Sequence, residues 1–185
     1  MSDYIIIDNF MEDPLEIRNR GVYHVCNYLD KDHHHDKETL GSFPGYRSDY
    51  INKFDSQLYA QLSFRVSKAI EILLGRDVDF SRTNNYYTYQ FTDKSVNKIL
   101  PDFHTDSPAP DYWGTFAGLL YLNPNPPRNS GTVFLLDGKK EYIDNKFNRF
   151  LLYRGDKIEH SISKSFGTGD KRNSRLVIST FTDLK

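Results

Sequence analysis

From residue 78 to its end the chain reads as short strand-like runs divided by turn residues, with no helical periodicity between them. Asn85 to Phe91 is rich in tyrosine, Ile99 to Asp106 is extended in pattern, and Thr115 to Asn123 is apolar. A proline-rich turn, Pro124-Asn125-Pro126-Pro127, leads to Thr132 to Leu136, and Asp137-Gly138 marks a hairpin turn. Phe147 to Arg154, Lys157 to Ile162 and Arg175 to Phe181 complete the set. About eight strands without intervening helices imply a jelly-roll or barrel.

The first part of the chain has a different rhythm. Tyr4 to Ile7 is a β-branched run that predicts an opening strand, and Asp13-Pro14 reads as an N-cap followed by proline at the first helical position, starting a helix through about Val25. Residues 27 to 53 are polar and irregular and predict a long loop. Asp55 or Ser56 then caps a second helix whose Leu58, Leu62, Val66, Ala69, Ile70 and Leu73 form one stripe, with Gly75 ending it. Such a stripe is expected to lie against a sheet. With no repeats and no linker, the 185 residues predict a single domain over 1-185, helical to about residue 77 and a jelly-roll core from about 78 to 183.

Composition excludes several classes. The formal net charge of -1 gives no reason to expect a polyanion such as nucleic acid as partner. Thirteen Tyr and 13 Phe favour a β-rich core. A single cysteine, Cys26, rules out an internal disulfide framework and fits a reducing compartment. No apolar stretch approaches the roughly 20 residues of a membrane span. The amino terminus lacks the basic start and long apolar region of a secretory signal, so the expected location is cytoplasmic.

The residues that carry chemistry are His104-Thr105-Asp106, followed by His160 and Arg175. In an extended segment residues two apart project to the same side, so His104 and Asp106 can serve one metal while Thr105 points away. Two imidazoles and one carboxylate occupy one face of an octahedral Fe(II), leaving three positions for a chelating cosubstrate and O2. The second imidazole must come from elsewhere, and His160 stands at the end of a later strand-like run. The three consecutive histidines His33, His34 and His35 are not read as a site, since adjacent residues of a regular strand or helix cannot converge on one ion.

These pieces resemble the Fe(II)- and 2-oxoglutarate-dependent oxygenases, in pattern most like the prolyl hydroxylase branch. The resemblance runs from about residue 85 to 182 through Phe103-His104-Thr105-Asp106, Leu120-Tyr121-Leu122-Asn123, Ser130-Gly131-Thr132-Val133-Phe134, Phe147-Asn148-Arg149-Phe150-Leu151-Leu152-Tyr153, His160-Ser161-Ile162 and Arg175-Leu176-Val177-Ile178-Ser179-Thr180-Phe181. It implies a mostly β fold with α, a double-stranded β-helix of the cupin-like jelly-roll type with N-terminal helices packed on the major sheet. It implies that His104, Asp106 and His160 ligate iron and that Arg175 pairs with the distal carboxylate of 2-oxoglutarate, for which a guanidinium fork is suited. Tyr121 would hydrogen-bond the same carboxylate, and Tyr89 would line the pocket.

Two departures stand out. Ser130-Gly131 replaces a pair of glycines common in the branch, and the interval from His160 to Arg175 is longer, with Ser165-Phe166-Gly167-Thr168-Gly169-Asp170 inserted as a flexible loop. Arg172 therefore competes with Arg175 for the anion; Arg175 is preferred because it begins a strand that places it with Val177, Ser179 and Phe181.

The resemblance implies a dioxygenase that uses Fe(II), 2-oxoglutarate and O2, with ascorbate as a candidate reductant, to hydroxylate a small molecule or a prolyl or other protein side chain. A carboxylate at position 106 points to hydroxylation rather than halogenation. Fold-level analogy does not choose the substrate. Residues 27 to 53 and Ser107 to Trp113 are expected to flank the barrel mouth and set specificity. The rivals are a cupin-type metal protein that works without 2-oxoglutarate, against which Arg175 argues, and an inactive binding module on the same fold.

Overall fold

In the computed structural model, residues 2–27, 46–98, 100, 102–106, 114–168, 170 and 172–184 are described. Two antiparallel sheets form the body. The larger has the order β1-β7-β4-β9-β3-β2, built from β1 (Tyr4–Ile7), β2 (Tyr46–Arg47), β3 (Thr83–Thr92), β4 (Gly114–Tyr121), β7 (Phe150–Arg154) and β9 (Arg175–Leu184). The smaller has the order β6-β5-β8, from β5 (Thr132–Leu136), β6 (Lys139–Ile143) and β8 (Glu159–Ile162). This is a mostly β architecture with a jelly-roll core, and the β5–β6 hairpin turns through Asp137 (φ 49°) and Gly138 (φ 74°) as the Asp-Gly pair predicts.

The two helices form where local signals are strong. α1 (Pro14–Asn27) begins after Asp13, whose carboxylate accepts from the amide of Glu16 at 3.2 Å. α2 (Ser56–Leu74) is capped by the Asp55 side chain, which accepts from the Leu58 amide at 3.0 Å, and it ends at Gly75 in the left-handed region, φ 64°. Its stripe Leu58, Leu62, Val66, Ala69, Ile70 and Leu73 is buried in one cluster with Tyr87, Tyr89 and Phe91 of β3, Leu120 of β4 and Leu176 and Ile178 of β9. Among the described residues no helix is long and apolar enough to cross a membrane.

Strand parity divides the large sheet into two faces. One face joins that helix-bearing cluster. The other points into the jelly-roll, where Ala117, Tyr121, Leu151, Tyr153 and Val177 meet Phe134 and Ile143 of the small sheet. Each strand therefore delivers alternate residues to a space enclosed by both sheets, and that is where the candidate site lies.

The segment before residue 77 is less purely helical than expected. β1 pairs with β7 (Ile6 opposite Leu151), and β2, inside a stretch expected to be loop, pairs with β3 (Arg47 opposite Gln90). The expected strand from 99 to 106 is absent as a regular element among its described residues. His104 forms a single bridge with His160 and extends the small sheet past β8. Its neighbour Asp106 bonds instead to Gly155, which breaks the ladder.

Candidate metal and cosubstrate site

The bridge between His104 and His160 is made of two backbone bonds, His104 N–H to His160 O at 3.2 Å and His160 N–H to His104 O at 2.9 Å. It brings the two imidazoles together, with ring centroids 4.6 Å apart. Asp106, two residues on, is held by its own amide to the Gly155 carbonyl at 2.8 Å. One ligand atom from each of His104, Asp106 and His160 lies within 4.8 Å of the other two. The two-residue spacing and the remote third residue thus meet as the sequence predicts.

The orientation of both rings is fixed from behind. The Nδ1–H of His160 donates to the Ile158 carbonyl at 3.0 Å, and that of His104 to the Asp102 carbonyl at 3.2 Å. A carbonyl only accepts, so each ring carries a proton on Nδ1, which leaves Nε2 as the nitrogen with which it could ligate a metal. The Tyr153 ring packs edge-on against His160 at 4.7 Å.

Burial sets the electrostatics. His160 is buried, which pushes its pKa below the ordinary value and keeps the ring neutral. The Asp106 carboxyl is pushed up by burial, opposed by the neighbouring His160, His104 and Arg47. Asp106 Oδ2 is buried, lies 3.6 Å from His160 Nε2, and has no hydrogen-bond partner among the described residues. A buried carboxylate oxygen without a donor among the described residues, beside two imidazoles, is unfavourable as it stands and is relieved by a cation. The donor set, two nitrogens and one oxygen with open sides, fits a divalent iron.

Arg175, the first residue of β9, shares by strand parity the interior face of Val177. It is 1% exposed, its Nε donates to the Ser130 carbonyl at 3.3 Å, and its Nη2 is buried with no partner among the described residues. The Tyr121 ring lies 5.8 Å from the guanidinium, and the Tyr121 hydroxyl is bonded to Thr132 Oγ1 at 2.7 Å. A buried guanidinium with one nitrogen unpartnered among the described residues calls for an anion, and burial accordingly pushes its pKa down. A dicarboxylic acid such as 2-oxoglutarate fits this cradle.

Arg172 does not compete. It is exposed, and its backbone binds Asp170 and Arg18. The inserted loop before it is anchored at its start: Ser165 is fully buried, exchanges two hydrogen bonds with the Asn97 side chain and binds Thr92 Oγ1 at 2.7 Å.

Tyr89 is a correction. Its side chain lies on the helix-bearing face, where its hydroxyl donates to the Ile17 carbonyl of α1 at 2.9 Å and its ring fills the space a side chain at Gly21 would need. It docks α1 on β3 and does not line the pocket. The interior face of β3 instead carries Thr88 and Gln90, both bonded to Ser179 Oγ, at 3.2 and 2.7 Å.

Two residues near the cluster escaped the sequence reading. Arg47 shares the interior face with its partner Gln90, and its charge favours the ionised form of Asp106. Gly155 lies so close to Asp106 that a Cβ there would come 2.5 Å from Asp106 Oδ2. The signal for Gly155 was the Arg154-Gly155-Asp156 turn before β8; Arg47 had none, since its strand is two residues long. His33 to His35 and Ser107 to Trp113 lie outside the described residues.

No family model matches the chain, and no curated protein matches it. Solved structures do. A prolyl hydroxylase from Trichoplax adhaerens, in complex with a hypoxia inducible factor oxygen degradation domain peptide, is 18% identical with a TM-score of 0.61, over 98% of this chain and 83% of that one. The viral collagen prolyl hydroxylase of Paramecium Bursaria Chlorella virus-1, in its 2-oxoglutarate complex, is 11% identical with a TM-score of 0.63, over 100% and 97%. HygX from Streptomyces hygroscopicus, with nickel and 2-oxoglutarate bound, is 10% identical with a TM-score of 0.61, over 100% and 83%. The resemblance read in the sequence is therefore matched in three dimensions, and the chain shares the fold of the prolyl hydroxylases and other 2-oxoglutarate-dependent oxygenases.

Proposed function

We propose that this chain is an Fe(II)- and 2-oxoglutarate-dependent dioxygenase that hydroxylates its substrate. The observation that carries the reading is the pairing of two unsatisfied groups around one interior cluster: a buried carboxylate oxygen beside His160, whose ring packs on Tyr153, and a buried guanidinium nitrogen beside Tyr121. The first suits a metal, the second suits an anion, and 2-oxoglutarate is a ligand that joins the two.

His104, Asp106 and His160 would hold the iron, with the ring carbonyl bonds keeping both Nε2 atoms aimed at it. When bound, iron and 2-oxoglutarate supply an oxidation with O2 in which the 2-oxo acid leaves as succinate and CO2 and one oxygen atom enters a substrate C–H bond. Arg175 would fix the distal carboxylate through its fork, and Tyr121 would donate to it in exchange for Thr132. Arg47 holds positive charge beside Asp106 and so favours the ionised ligand. Tyr153 and Phe134 wall the site with aromatic surface and keep water from the reacting centre.

For the substrate, a prolyl or other protein side chain is the nearest reading, supported by the peptide bound to the Trichoplax relative. Ascorbate would keep the iron reduced between turnovers. The test is production of succinate from 2-oxoglutarate under air, with and without Fe(II). We expect turnover that requires the metal and is lost in Asp106→Ala; metal-independent turnover, or an Asp106→Ala protein as active as the parent, contradicts the proposal.

A further inference from the structure

Besides Arg175, a second buried polar side chain close to the anion cradle in the chain's fold, Asn145, has no hydrogen-bond partner among the described residues. Asn145 follows β6, is 8% exposed, and has neither its Nδ2 nor its Oδ1 hydrogen-bonded among the described residues. Buried amides are rarely left so, because both ends lose their water. Ile143, two residues earlier, belongs to the interior cluster with Tyr121 and Val177.

The segment Ser130-Gly131-Thr132 ties Asn145 to the anion cradle. The Ser130 carbonyl accepts from Arg175 Nε at 3.3 Å, and Thr132 Oγ1 is bonded to the Tyr121 hydroxyl at 2.7 Å. Between them, a Cβ on Gly131 would come 2.6 Å from the backbone nitrogen of Asn145. Three consecutive residues therefore abut the Arg175 guanidinium, the main chain that carries Asn145 and the Tyr121 phenol in turn. Arg175 Nη2 and Asn145 Nδ2 are both buried donors without acceptors, and a carboxylate is the group that satisfies two such donors at once.

We infer that Asn145 is a third donor to the distal carboxylate of the cosubstrate, a binding residue specific to the dicarboxylic acid; the inference rests on the oxygenase reading above. The amide hydrogens donate to a carboxylate oxygen, while Arg175 supplies the opposing charge. A carboxylate at position 145 would face the cosubstrate's own carboxylate and repel it.

The test is anaerobic titration of the Fe(II)-loaded protein with two acids of equal length, 2-oxoglutarate and 2-oxovalerate, the second carrying a methyl in place of the distal carboxylate. Dissociation constants are read from the visible absorption of the chelate or by calorimetry, at pH 7.5, for the parent, Asn145→Ala and Asn145→Asp. Removal of one hydrogen bond to a charged group is expected to weaken 2-oxoglutarate about 10- to 100-fold in Asn145→Ala. Asn145→Asp should be weaker again, and 2-oxovalerate should be held equally by all three. Equal loss for both acids, no loss, or Asp binding as well as Ala would overturn the inference while leaving the oxygenase reading in place. A parent protein that binds Fe(II) but not 2-oxoglutarate would overturn both.

Discussion

The amide of Asp106 donates to the carbonyl of Gly155 at 2.8 Å, and the Asp106 carboxylate occupies the space a Cβ at position 155 would need. One backbone bond and one missing side chain thus place the carboxylate, because the segment carrying Asp106 has no ladder of its own to do so. Gly155→Ala should push the carboxylate away from the imidazoles. We expect Fe(II) affinity to fall at least about tenfold, comparable to loss of an outer-shell support, with the far-ultraviolet dichroism unchanged. Parent-like affinity in the alanine variant would show that the close approach does not position Asp106.

Arg175 and Arg172 separate cleanly by burial. Arg175→Met retains volume in the enclosed cradle and removes the fork, so 2-oxoglutarate affinity should fall by about two orders of magnitude, the loss of a bidentate charged pair of about 3 kcal/mol, while Fe(II) binding persists. Arg172→Ala should leave both constants unchanged. The reverse pattern, measured by calorimetry, would place the anion elsewhere.

Tyr89 serves the helix layer and not the pocket. Tyr89→Phe removes the bond to the Ile17 carbonyl, the loss of one buried hydrogen bond, which costs about 0.5 to 1.5 kcal/mol. Urea denaturation should show that loss as a lower midpoint with an unchanged slope, and 2-oxoglutarate affinity should match the parent. A selective loss of cosubstrate binding would return Tyr89 to the site.

Acid stability has a local source at Asp8. Its carboxyl is lowered from 3.8 to about 2 by hydrogen bonds from Arg149 and Lys146, both part of the tie between β1 and the turn before β7. Because the folded value lies below the unfolded one, this stabilisation is complete above about pH 4 and disappears as pH falls through about 2. The side chain is about a third exposed, so after solvent screening the contribution is about 1 kcal/mol. Thermal melts of the parent between pH 4 and 2 should fall more steeply than those of Asp8→Asn; parallel curves would assign the acid sensitivity to other groups.

Much of this was legible in the sequence. The α2 stripe, its Asp55 cap and its Gly75 stop are local signals, and all six stripe residues are buried. The His104, Asp106 and His160 set was legible because a two-residue spacing has one geometric meaning in extended chain, whereas their support was not: the ring bonds run to main-chain carbonyls, which any sequence supplies. The place of Tyr89 is decided by strand parity. In β3 the aromatic Tyr87, Tyr89 and Phe91 alternate with Thr88, Gln90 and Thr92, and the polar set is the one that faces the interior, where Thr88 and Gln90 bond to Ser179, while the other face packs on helices. β2 was invisible because two residues carry no period, and its pairing is decided by β3.

The account stands most directly on anaerobic titration of the Fe(II)-loaded parent protein with 2-oxoglutarate, followed by visible absorption. It predicts a charge-transfer band that appears only when metal and acid are both present and that is absent in His160→Ala. No band in the parent under either order of addition, with Fe(II) shown to be bound, would contradict it.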